Sequence, residues 1–306
     1  MKRTLCTAIF ASALAVGVIG LPGCKGAGAD AAKLIPDAAT VVAGIDVAGL
    51  VKSGVYISNK DQIEKDGKAV LDAGNACNLG VDKFKTVTIG FDPATGGFAA
   101  VITAEGVGKL ENLDCVNAKI EAQDGSKPWT VEEKDGKKVL AMQDGAVGYI
   151  VNEGSLVVAS KDWTGKVKEL IDGKGNSVFD GPLKDVIARA DTGKTIWIAG
   201  SIPAERLKGT PGEGAKDAAG SIDLGSGIDI SGSIAFASPD DATKKKDELI
   251  KQLETMKPLA DTLGVPKPVI DSVEIGASGS AVTVRVRATE DDLKQLSELL
   301  KAKMAR

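Results

Sequence analysis

The residues that could do chemistry are few, and the most useful one is missing: the 306-residue chain has no histidine. Without an imidazole, no side chain has an ordinary pKa near neutrality. This removes Ser-His-Asp and Cys-His nucleophilic sites and every histidine-containing zinc site. Carboxylates and Ser-Lys pairs remain as candidates. The paired acids Asp240, Asp241, Asp291 and Asp292 fall where a helix start takes negative charge against its dipole, so they read as caps rather than as an acid–base pair. Gly193-Lys194-Thr195 has the ending of a phosphate loop. That loop needs glycine where Ala188 stands, and it must open a helix, whereas Thr195 opens a strand. Asp172-Gly173-Lys174-Gly175-Asn176-Ser177 resembles a calcium loop only superficially, because Lys174 takes a ligand position. No Gly-x-Ser-x-Gly elbow occurs, since Gly276-Ala277-Ser278-Gly279 has the wrong spacing. The sequence thus offers no catalytic residue, metal ligand or cofactor-binding residue, and it is read as a non-enzyme.

Charged residues make up 26% and hydrophobic residues 43% of the chain, which is a globular composition with enough apolar material for a core. The formal charge is −4 with 38 basic and 42 acidic side chains. Basic residues are not clustered as counterion release requires, so nucleic acid is not an expected partner. The run Lys244-Lys245-Lys246 reads as a solvated helix face balanced by Asp247 and Glu248. Trp197, flanked by Ile196 and Ile198, is expected in the core, and Trp129 is expected to be exposed.

Residues 1–23 read as a signal peptide: Lys2 and Arg3, then an apolar run from Leu5 to Gly20 that is too short to span a bilayer. The segment ends Leu21-Pro22-Gly23-Cys24, which resembles the lipobox of bacterial lipoproteins. The resemblance implies that Cys24 is diacylated and becomes the mature N-terminus. It further implies that Lys25, in place of the aspartate that retains such proteins in the inner membrane, directs delivery to the outer membrane. A diacylated, amide-capped cysteine is an essentially permanent anchor at about 0.8 kcal/mol per buried methylene. Residues 24–35 are then a lipidated tether. The expected partners are the membrane, through the lipid on Cys24, and an unidentified envelope protein or hydrophobic ligand. With Cys6 removed with the signal and Cys24 acylated, Cys77 and Cys115 are left in an oxidising compartment, where a disulfide is expected.

The rest of the chain shows repetition. Residues Gly154 to Asp162 match Gly232 to Asp240, and Gly97 to Gly106 and Gly279 to Asp292 are looser copies. Each copy reads as the second strand of a hairpin leading into a helix, so a β-hairpin-plus-helix unit is expected four times. Two further strands at Thr40 and Thr195 each precede a pair of units. The expected fold is α+β: an internally duplicated two-layer architecture of mainly antiparallel, curved sheets covered by helices. Its repeats are 36–190 and 191–306, with separate sheets in contact. An inserted hairpin turns on Asp135-Gly136. Leu249, Leu253, Met256, Ala260 and Leu263 form a helical stripe, as do Leu293, Leu296, Leu300 and Met304.

Overall fold

The computed structural model describes residues 31–304 apart from Pro211, so the signal segment and Cys24 lie outside the described residues. Strand β1 (Val41–Asp46) leads into helices α1 (Val47–Leu50), α2 (Gly54–Asp66) and α3 (Lys68–Ala76). The hairpin of β2 (Phe84–Asp92) and β3 (Gly97–Ala104) is followed by α4 (Leu110–Asp124). The inserted hairpin is β4 (Trp129–Lys134) and β5 (Lys137–Met142). After it come β6 (Val147–Asn152), β7 (Ser155–Ala159) and α5 (Thr164–Ile171). Past α6 (Lys184–Ile187), strand β8 (Ile196–Ser201) and α7 (Ala204–Leu207) precede the hairpin of β9 (Asp217–Asp223) and β10 (Gly227–Ala235). The chain ends with α8 (Pro239–Leu263), α9 (Lys267–Asp271), β11 (Glu274–Ser278), β12 (Ala281–Thr289) and α10 (Glu290–Met304). Four hairpin-plus-helix units are present: β2-β3-α4, β6-β7-α5, β9-β10-α8 and β11-β12-α10.

The strands join into one open antiparallel sheet of twelve, ordered β11-β12-β10-β9-β8-β1-β2-β3-β7-β6-β5-β4. Separate sheets in contact were expected; instead, β1 and β8 pair from Val41↔Gly200 to Ile45↔Ile196. Each of these strands is apolar, heads its half of the chain and would otherwise leave an edge of unpaired amides and carbonyls, which pairing to each other satisfies. Outward from this seam the order is β1-β2-β3-β7-β6 on one side and β8-β9-β10-β12-β11 on the other.

Local signals account for the elements. Ser238 accepts from the Asp241 amide and Thr289 from that of Asp292, whose carboxylate reaches back to the Thr289 amide at 2.8 Å. Such caps contribute about 0.5–2 kcal/mol each. Asp135 and Gly136 both have positive φ, at 53° and 73°, the type I′ geometry that matches strand twist.

One face of the sheet is covered across its centre. Ile35, Val42, Val101, Val157, Trp163, Val178 and Trp197 belong to one buried cluster there. Chain segments 31–39 and 177–190, together with α5, supply its outer layer. The expected tether is therefore shorter than 24–35: Ala31 is only 8% exposed and Ile35 is fully buried, because small and branched apolar residues find sheet to pack on as soon as the chain reaches it. On the opposite face, the flanks are covered by separate clusters. Leu79 and Leu113 lie against Leu140, Leu156 and Val158, and Ala242 and Leu249 lie against Ile234 and Val282. The expected stripe of α8 is half-buried at Leu249, Leu253 and Ala260 but departs at Met256. Met256 is 60% exposed, as is Leu259 off the stripe at 56%, so the helix presents apolar side chains to solvent near its C-terminal end.

Candidate functional site

Between the two flanks, the second face is open. Strand registers place Val284, Gly232, Gly220, Ile198, Ala43 and Ile89 in one row across β12, β10, β9, β8, β1 and β2. Ile198 is 49% exposed, and Ile230, one step along β10, is 42% exposed. The glycines report what lies above each face. A Cβ on Gly220 or Gly232 would meet only atoms of neighbouring strands, the nearest at 3.3 and 3.7 Å. On the covered face, a Cβ on Gly44 would come within 2.2 Å of the Trp197 indole, one on Gly90 within 2.2 Å of Ile35, and one on Gly97 within 2.2 Å of Trp163. The two faces thus use glycine in opposite ways. On the first, glycine admits a covering side chain; on the second, it leaves strand backbone uncovered beside exposed isoleucines. The stretch is thus apolar and uncovered among the described residues.

Nothing in the sequence singled this surface out. In Ile196-Trp197-Ile198-Ala199 apolar side chains point to both faces, so the run does not say which face is roofed. The available signal was the repeat glycine at 232 and a strand glycine at 220, which become adjacent only through the β9–β10 register.

Cys77 and Cys115 form a disulfide with Cα atoms 5.6 Å apart, joining the end of α3 to α4. It holds the helices that cover the second face on the first-half side of the open stretch. Cys24, the expected lipidation site, lies outside the described residues.

The covered face changes character toward β10, β12 and β11. Ser221, Ser231, Ser233 and Thr283 replace the apolar residues there, and each cation stands against an acid. Arg189 pairs with Asp217, Lys194 with Asp223, Arg285 with Asp229, and Arg287 with Glu274 at 3.1 Å. The Arg285 hydrogen bond holds the Asp229 carboxyl below the usual carboxylate range, and Asp229 in turn raises Arg285. Burial pushes Asp223 up, but the Lys194 ammonium and the Gly225 amide outweigh it and the net shift is downward. Lys194 itself is raised, chiefly by its hydrogen bond to Asp223. Arg189, Ser231, Ser233, Glu274, Thr283 and Arg285 are among the residues lining an open groove of about 390 Å³ at this end.

Other residues noted in the sequence fall into structural roles. Lys245 and Lys246 pair with Glu248 and Asp247 on their own helix. Asp172 binds Lys137 and Lys168. Thr195 stands immediately before β8, after the turn in which the Lys194 amide donates to the Asp191 carbonyl. Trp197 is buried, as expected. Trp129 is a correction: it is half-buried against the Leu140 cluster, because α4 reaches far enough to roof the inserted hairpin's base. Among the described residues, no helix is long and apolar enough to cross a membrane.

The architecture places the protein among α+β folds built on a large open antiparallel sheet. Crystal structures of TP0453 share it: form III matches with a TM-score of 0.52 at 10% identity over 85% of this chain and 94% of that one. Form I matches with a TM-score of 0.52 at 10% identity over 87% and 96%. At this identity the likeness is one of fold. No protein-family model and no curated protein matches the chain.

Proposed function

We propose that the protein is a lipid-anchored, non-enzymatic binding module of the bacterial envelope, held at the outer membrane through Cys24. The observation that carries a binding role is the open apolar stretch around Ile198, Gly220, Ile230 and Gly232, exposed in a sheet whose other face is roofed at β1 and β8. The lipobox-like Leu21-Pro22-Gly23-Cys24 supports the anchor. Ala31 is already packed in the core, so the intervening chain spans at most about 25 Å and keeps the fold close to the bilayer.

The same apolar stretch favours one particular form of this reading, a carrier for a lipid-like ligand. An acyl chain needs apolar contact and no hydrogen bonds, which exposed isoleucines beside bare glycines can supply.

Two measurements test the reading. Cys24→Ala should move the protein from the membrane to the soluble fraction, and an unchanged distribution would remove the anchor. Protein purified without detergent, then extracted and analysed by mass spectrometry, should yield a stoichiometric lipid in the wild type that is lost from Ile198→Asp/Ile230→Asp. Clean extracts from both would end the carrier reading.

A further inference from the structure

We propose that the groove at the β10–β12–β11 end of the covered face is a binding site for a small carboxylate-bearing ligand, distinct from the apolar stretch and from the lipid anchor. Its volume of about 390 Å³ lies at the small end of the range for ligand pockets. Two of its lining residues carry polar atoms that the fold buries without a partner. Ser233 is only 8% exposed and its Oγ makes no hydrogen bond, and the Nε of Arg189 is in the same position. Most buried polar side-chain atoms are satisfied, so two orphans in the wall of one groove are a specific feature.

Both groups donate, and a carboxylate supplies only acceptors. Asp217 holds Arg189 through Nη2, which fixes the guanidinium in the groove wall with its Nε still unpaired. Ser231 and Thr283 add hydroxyls to the floor. Gly276 keeps that floor clear, because a Cβ there would lie 2.9 Å from the Thr283 Oγ1. The surrounding charge decides against a polyanion. Asp217, Asp229 and Glu274 match Arg189, Arg285 and Arg287 one for one, so a second negative charge on the ligand would meet unshielded carboxylates. None of the lining residues is aromatic, so the groove lacks the stacking surface that sugars and bases use.

The test is a titration of the whole isotope-labelled protein with acetate at constant ionic strength, followed by amide chemical shifts, with chloride as the control and inorganic phosphate as the competing anion. Acetate should give saturable shifts clustered on β10, β11, β12 and around Arg189, with phosphate weaker. Ser233→Ala should weaken acetate at least fivefold without moving the melting temperature. Gly276→Ala, on an edge strand, gives a second reading by crowding the floor and should weaken it similarly. The assignment is overturned by shifts no larger than with chloride, by tighter binding of phosphate, or by titrations that neither variant changes. Loss of the lipid-binding reading at Ile198 and Ile230 would leave these outcomes unaffected.

Discussion

Gly44 on β1 and Trp197 on β8 are directly opposed across the seam that joins the two halves of the sheet, and the indole covers the glycine so closely that a Cβ there would lie 2.2 Å from Nε1. The ring also meets Phe179 edge-on, with centroids 6.0 Å apart, so it has little room to retreat. Gly44→Ala should therefore cost about 1–3 kcal/mol by overpacking, and Trp197→Phe in the same chain should recover part of it. Thermal unfolding checks both. A Gly44→Ala variant melting within a degree of wild type would contradict the packing described.

Gly232 should behave in the opposite way. Its Cβ would meet nothing closer than 3.7 Å, so Gly232→Ala is expected to stay within about 0.5 kcal/mol of wild type in denaturant melts. The added methyl would project from the open face and should reduce binding of a fluorescent fatty acid. A large loss of stability would mean that the face is roofed after all.

Reduction of Cys77–Cys115 releases a cross-link over 38 residues, which the chain-entropy model values at about 3–4 kcal/mol. Paired melts with and without reductant should show a clear drop in midpoint. Cys77→Ser/Cys115→Ser should melt like the reduced protein and be insensitive to reductant. Peptide mapping that finds both cysteines alkylated without prior reduction would refute the bridge.

Acid should unfold the second half's polar end through Asp229. Its folded pKa is lowered by Arg285, so its contribution is fully present above the unfolded value of about 3.9 and is lost as pH falls through the folded value. Melting temperature should be flat from neutrality to about pH 5 and should decline below about pH 4. Asp229→Asn should lower the plateau and make the acid decline shallower. Parallel curves for the two proteins would show that Asp229 is not among the groups responsible.

Much of this architecture was legible in the amino-acid order because it is locally encoded. Ser238 and Thr289 announce helix starts through contacts three residues away, Asp135-Gly136 closes its hairpin by backbone preference alone, and the hairpin-plus-helix unit recurs along the chain, capped in its last two copies. The candidate disulfide followed from compartment and elimination, with no need for coordinates. What the order of residues left open is set by contacts between distant segments. The β1–β8 seam joins residues more than 150 positions apart, and it alone turns two sheets into one. The same holds for the two faces. Trp197 and Ile198 are adjacent and both apolar, yet one is 6% and the other 49% exposed, because Phe179 and its neighbouring segment roof one side of β8 and nothing among the described residues roofs the other there. Side-chain alternation assigns residues to faces, but only the packing of remote segments decides which face meets solvent.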